Sequence, residues 1–458
     1  MNQERIEKVL TNMLKTGGDF AEVFIEEKKS KMFDYVDSKL DSIKINSIKG
    51  VGLRLAKEND VYYASTNDFS DNNIDDIVTK LNKNIDSECQ IKEVKLNKLK
   101  EYKKENKTHY TDQDIKDKMT EIDKLVRSKD KRITQVGISI QNIEQKVTIA
   151  NQTGLYVSEN RIRSIVYVKL FLKDGDKSCS HMYKYSKCKS LDGIDDIDFD
   201  KEIDEVLKEG LDKLYASPCL GKMMPVIIGP GFGGVIFHEA CGHAMEATSV
   251  ADGLSVLSNE LNNKIASDKV TIIDDGTVED EWGTNCIDDE GHPTQKNVLI
   301  ENGVLKNFLI DELNNRKMKM KTTGSSRRES YRFAPTSRMN NTYLKGGTDS
   351  FEDMVKSIKL GLYAKNMGGG SVSTESGEFN FGCSVAYMIR DGKIAEPVKS
   401  ACLIGNTKEI LKQVEMVSPN TELSPGMCGS ISGYVPVTVG QPYVKISSIL
   451  VGGEESEG

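Results

Sequence analysis

No apolar run in the 458 residues approaches the roughly 20 residues that a membrane-crossing helix needs. The N-terminal stretch MNQERIEKVLTNMLK is charged throughout and has no apolar core. No secretory leader is therefore expected, no membrane partner either, and the cytoplasm is the expected compartment. Positive charge is not in excess: 62 Lys+Arg stand against 70 Asp+Glu, a net charge of -8. That balance argues against a nucleic-acid binder held by phosphate contacts. The nine cysteines are odd in number, scattered and without a CxxC pair, which argues against a disulfide framework. Free thiols or a metal ligand are the expected uses. Tryptophan occurs once and histidine five times, so any histidine cluster stands out. A chain this long can bury a core without staples, and at about 150 residues per domain it allows two to four domains.

What is present reads as α+β. Ile6, Val9, Leu10 and Leu14 recur at helical spacing until Gly17-Gly18. Alternating apolar and polar residues then predict strands at 21–29, 31–45 and 50–57, and a further strand leads into a helix near 72–87. Residues 90–110 are rich in Lys, Glu and Asn and read as a linker or exposed strand. A helix near 111–128, more strands and a helix near 199–217 follow. The order helix, strands, helix, strands, helix predicts two small α/β units at 1–105 and 106–217. Past Pro218 lysine thins out and glycine becomes dense. Asn302-Gly303 and Asp391-Gly392 signal hairpins, 351–365 reads as one helix, and the end of the chain reads as two strands before a frayed EESEG tail. Residues 218–458 are thus expected to form a β-rich C-terminal domain.

The segment VIFHEACGHAMEA carries the clearest chemistry. Imidazoles are good zinc ligands, and a catalytic zinc keeps three protein ligands and an open position. Glu239, beside His238, is placed as a general base acting on water. Only about 0.004 chance matches to this His-Glu-x-x-x-His spacing are expected in such a histidine-poor chain. The spacing is not the familiar HExxH. Positions i and i+4 lie about 40° apart on an ideal helix, whereas i and i+5 lie about 140° apart. His238 and His243 can meet at one ion only if the helix is broken or widened, which Gly242 would ease. A distorted helix is therefore predicted between them. Glu246, three residues past His243, is placed to orient that ligand or to bind metal itself. Cys241 reads as a small buried residue.

Gly229-Pro-Gly231-Phe-Gly233-Gly234 fits GxGxxG, a dinucleotide fingerprint on paper. Pro230 removes one N–H from the phosphate cradle, and the following residues do not alternate strand and helix. The glycines are read instead as permitting a sharp turn.

The motifs HEACGHAMEA (238–247), DDEGHPTQKNVLIENGVLKNFLID (288–311), RRESYRFAPTSRMNNTYL (327–344), GGGSVSTESGEFNF (368–381) and MCGSISGYVPVTVGQPYVKI (427–446) resemble the TldD/PmbA (TldE) family of zinc-dependent peptidases. The intact HExxxH makes the chain similar to the TldD-like members. The resemblance implies a third zinc ligand, Cys428 in GMCGS, and one zinc ion per chain. It implies a β-rich catalytic domain that hydrolyses small, unfolded or extended polypeptides. It also implies a dimer, either with a second copy or with a TldE-like subunit. The basic cluster Arg327, Arg328 and Arg338 would lie near the cleft and hold substrate, and GGGSVSTESGEFNF would offer an edge for β-addition. His292 is expected to be a loop histidine. The alternative is a non-catalytic peptide-binding scaffold or subunit around a structural zinc.

Overall fold

The computed structural model describes residues 1–87, 93–105 and 107–453. Part of the 90–110 segment and the EESEG tail lie outside the described residues. Helix α1 (Gln3–Met13), capped by the Asn2 side chain, precedes β1 (Phe20–Val36), β2 (Lys39–Lys57) and β3 (Asp60–Thr66), and α2 (Asp71–Asn82) closes the unit. After the short β4 (Lys100–Tyr102) the order repeats as α3 (Asp112–Lys129), β5 (Ile133–Asn151), β6 (Tyr156–Asp174), β7 (Lys177–Lys187) and α4 (Phe199–Tyr215). The expected pair of α/β units is present, and the two share a sheet. β1 pairs antiparallel with β5, giving the order β3-β2-β1-β5-β6 with β7 beyond β6.

The first hairpin differs from the sequence expectation. The chain turns at Asp37-Ser38, both left-handed, so 31–45 is the end of one strand and the start of the next. Asp-Ser is a weaker turn signal than Asn-Gly, and the alternation of apolar residues continues on both sides of it.

Side chains alternate along each strand, so the sheet has two characters. On one face Ala21 and Val23 pack with Ile6, Val9 and Leu10 of α1 and Ile74 and Val78 of α2. Phe33, Tyr35, Ile138 and Val168 pack with α3 and α4. On the other face Phe24, Val147, Ile149 and Val157 meet Ile287 and Tyr331 of the C-terminal half. Around this small apolar contact the seam is ionic. Arg54 lies 2.7 Å from Glu22 and 2.6 Å from Glu290. Arg328 lies 2.7 Å from Glu22, and Arg161 lies 2.7 Å from Asp289.

The C-terminal half is two sheets around one core. The six-stranded sheet runs from Val304–Leu305 through Lys296–Glu301, Ile272–Asp275, Asn341–Leu344 and Gly433–Gln441 to Glu422–Ser430. The eight-stranded sheet centres on Lys222–Ile228 and Val444–Gly452. Phe237, Ala240, Ala244 and Met245 sit among Ile272, Leu299, Leu362, Phe381 and Val444. The His-Glu segment thus lies between the sheets and belongs to the core. The expected helix over 351–365 stops at Lys356, and Leu360–Val372 is a strand paired parallel with Lys222–Ile228. Its partners Val226 and Ile228 are fully buried, and filling that sheet outweighs the helical pattern. Among the described residues no helix is long and apolar enough to cross a membrane.

Candidate metal centre

The glycine run before the motif brings backbones together. Gly231 adopts φ 63°, and a Cβ on Gly234 would lie 2.5 Å from the Gly440 backbone. A tight turn over Gly231–Gly234 then feeds the helix Val235–Phe237. Residues His238–Gly242 form a π-helix, the widening that the i, i+5 spacing demands. Thr407 Oγ1 donates to the Ala240 carbonyl at 2.5 Å within this wide turn.

The widened turn directs both imidazoles to one place. His238 and His243 have ring centroids 5.3 Å apart with planes at 82°. Cys428 arrives from the distant strand Glu422–Ser430, its Sγ 3.2 Å from His243 Nε2. The donor atoms of His238, His243 and Cys428 all lie within 4.8 Å of one another, and all three residues are buried. His243 Nδ1 is 3.0 Å from Glu246 Oε2, so the carboxylate orients the ring and leaves Nε2 for the cluster. Glu239 stands one turn from His243, its Oε2 3.5 Å from Nε2 and its side chain 23% exposed. It is the acid of the group that keeps contact with solvent.

The electrostatics suit a soft cation. Burial pushes the Cys428 thiol up, but His238 and His243 outweigh it and hold the thiol well below its ordinary value. Burial opposes charge on His243, and Glu246 and Cys428 overcome it, raising this imidazole well above its usual range. His238 Nδ1 is buried without a partner among the described residues. Two imidazoles and a thiolate, one carrying an orphaned nitrogen and one braced by a carboxylate, are a donor set that fits zinc.

Other predicted residues fall elsewhere. Cys241 is fully buried and donates to the Phe237 carbonyl, as a small core residue would. His292 pairs with Glu312 at 3.6 Å and lies outside the His/His/Cys cluster. GGGSVSTESGEFNF forms a hairpin, with Gly370 opposite Phe381 and Val372 opposite Phe379. Arg338 and Arg328 depart from the expectation that the three arginines hold substrate, because the chain itself engages them. Arg338 is fully buried and donates to the carbonyls of Cys428 and Gly433 and to Ser432 Oγ. Arg328 is bound to Glu22 and to the Asp289 carbonyl. Arg327 gives Nη1 to the Met339 carbonyl at 2.7 Å. A buried guanidinium needs acceptors around it, and here the chain itself supplies most of them. Sequence reasoning missed Arg338 as a support for the Cys428 strand. Its only signal was a charged residue inside an otherwise uncharged SRMNNTYL stretch.

A buried donor set of two histidines and a cysteine beside a solvent-touched glutamate, held between two sheets, is the kind of arrangement that metallopeptidases use. Three family models match in order: PmbA/TldA metallopeptidase domain 1 at 21–84, the central domain at 105–214 and the C-terminal domain at 221–453. The chain belongs to the PmbA/TldA metallopeptidase family. A metalloprotease TldD homolog of Buchnera aphidicola (subsp. Acyrthosiphon pisum) is 37% identical over 338 residues, 72% of this chain and 70% of that protein. A zinc metalloprotease TldD homolog of Saccharolobus solfataricus is 32% identical over 262 residues, 57% of this chain and 58% of that protein. The crystal structure of TldE from Thermococcus kodakarensis superposes with a TM-score of 0.77 at 20% identity, covering 98% of this chain and 100% of that one. The fold is shared across the full length.

Proposed function

We propose that this chain is a zinc peptidase acting on small, unfolded or extended polypeptides, with His238, His243 and Cys428 as the ligands of one ion. The observation that carries this reading is the convergence of those three donors within 4.8 Å beside Glu239. A zinc ion there supplies Lewis acidity toward a peptide carbonyl and acidifies water. Glu239 takes the proton of the attacking water on a carboxylate oxygen and delivers it to the departing amine. Glu246 fixes the His243 tautomer, and Arg338 holds the Cys428 backbone. The buried surroundings restrict water around the reacting atoms. In this reading the enzyme works as a dimer in the cytoplasm. The exposed Met427, Ile431 and Tyr434 on one hairpin support the dimer, and the described cysteines, all free, support the compartment.

Elemental analysis of the purified chain and of Cys428→Ser tests the site, and Glu239→Gln tests the chemistry. One zinc per chain, weakened in Cys428→Ser, is expected. Glu239→Gln should keep its zinc while peptide hydrolysis falls by several orders of magnitude. Undiminished hydrolysis in Glu239→Gln would refute the general base. Zinc without any hydrolysis in the wild type would favour the scaffold alternative. Light scattering after size exclusion tests the dimer.

A further inference from the structure

A cavity of about 270 Å³ lies in the seam between the N-terminal sheet and the C-terminal half. Its floor is the charged face of the sheet. Lys28, Gln145 and Arg161 form one row across β1, β5 and β6, and Ile143 and Arg163 form the next. Its roof includes Trp282, Arg327, Met427 and Tyr434. Met427 and Cys428 are successive residues of one strand, so their side chains leave opposite faces. The cavity is thus distinct from the metal centre, with the 422–441 hairpin between them.

The charges around this cavity do not balance. Asp289 and Glu329 also line it; Asp289 is held by Arg161, while Glu329 attracts Lys28 without an ion pair and leaves the buried Arg163 and Arg327 uncompensated. Asp289 accepts from Arg161 at 2.7 Å and from the Arg328 amide at 2.7 Å. Glu329 accepts from the Tyr434 amide at 2.8 Å. Arg163 is 4% exposed, and its bonds go to neutral acceptors: the Trp282 and Thr284 carbonyls and Asn285 Oδ1. Arg327 is 2% exposed and donates to the Met339 carbonyl. Among the described residues neither arginine, nor Lys28, has a carboxylate at ion-pair distance. Burial pushes Lys28 and Arg163 below their ordinary values, and burial together with Arg163 pushes Arg327 down to about 9. Unpaired buried cations are costly unless something compensates them. A guanidinium fork matches the planar, two-oxygen geometry of a carboxylate. Ile143, Ile165, Trp282 and Pro436 offer apolar wall for an organic body, which a bare inorganic anion would not use.

We infer that this cavity binds an organic carboxylate, seated between Arg163 and Arg327 with Lys28 at its side. The carboxylate is either the end of a peptide or a free small acid. The inference does not rest on the peptidase reading, and it holds whether or not the metal centre is catalytic.

Trp282, the single tryptophan of the chain, lines the cavity beside the Arg163 guanidinium and reports on its contents. The purified full chain, and the Glu239→Gln variant in which peptide is not consumed, would be titrated with four probes. These are an N-acetyl dipeptide acid, the same dipeptide amide, succinate and inorganic phosphate. A saturable change in tryptophan emission with the acid or with succinate, and none with the amide, is expected. Dipeptide acid binding more tightly than succinate points to peptide ends, and the reverse order points to a free acid. Affinity should fall at least about tenfold in Arg163→Met and in Lys28→Met, the latter at a partly exposed position. Carboxylate should also raise the melting temperature of the wild type, and less so that of the variants. The inference is overturned if no carboxylate saturates, if phosphate binds more tightly than either carboxylate, or if acid and amide bind equally. Unchanged affinity in Lys28→Met together with Arg163→Met would overturn it too.

Discussion

Arg338 Nη2 donates to the backbone carbonyl of Cys428 at 2.5 Å, and its Nε lies 3.7 Å from Glu246, the acid that holds His243. One buried guanidinium therefore braces the carriers of two of the three candidate ligands. It is not among the clustered donors, and its expected role is that of a positioning residue. Arg338→Met is expected to weaken zinc affinity about 10- to 100-fold, in line with losses at other ligand supports. Competition with a chelator of known affinity measures it. Glu246→Gln should do the same, and the double variant should cost less than the two losses combined, because both act through one network. A purely structural role would lower the melting temperature of the metal-free protein and leave relative zinc affinity unchanged.

His292 gives a pH signature away from the candidate metal centre. Its pairing with Glu312 raises the imidazole from 6.5 to about 9, although burial opposes the charge. A histidine stabilised in its charged form contributes stability that is fully present below about pH 6.5. That contribution is lost as the pH rises through about 9. The melting temperature should accordingly fall by a few degrees across this window, and His292→Asn should flatten the fall. An unchanged slope in His292→Asn would assign the pH dependence to other groups.

The ionic seam predicts a large penalty at Arg54, which is 3% exposed and shared by Glu22 and Glu290. Arg54→Met should destabilise the chain by about 3–5 kcal/mol, because two carboxylates lose their buried partner. Denaturant titration measures it. Lowering the pH should recover part of the loss, since a protonated Glu290 no longer needs the cation.

Gly234→Ala tests the close approach before the motif. The added Cβ would meet the Gly440 backbone at 2.5 Å, and backbone cannot swing aside as a side chain does. A loss of about 1–3 kcal/mol is expected, measured as a shift of the denaturation midpoint. Gly369→Ala, where no atom lies within 4 Å of the added carbon, is the matched control.

The widened helix was readable from residue spacing alone, because the geometry of 3.6 residues per turn forbids two ligands at i and i+5. The α/β units were readable from alternation and helical period, down to the Asn302-Gly303 hairpin, whose two residues both take positive φ. Cys428 was not readable in this way. Nine cysteines offered themselves, and what selects one is a strand pairing made far along the chain. The arginines of 327–338 show the same limit. A sequence records their charge but not whether the acceptors around them come from substrate or from the chain. The strand Leu360–Val372 was missed because SIKLGLYAK satisfies a helical pattern locally, while the slot beside Lys222–Ile228 is a tertiary matter.

Cys428 follows His243 by 185 residues, and their side chains meet. An ion gripped by both would be a removable cross-link in a chain whose described cysteines form no disulfide. Long loops gain most from such closure, because the unfolded ensemble loses most freedom. The closing ends here are the core helix and a hairpin near the C-terminus. Metal supply would therefore set how firmly the last part of the chain is fastened, so a metal-starved molecule would fray from its C-terminal hairpin first.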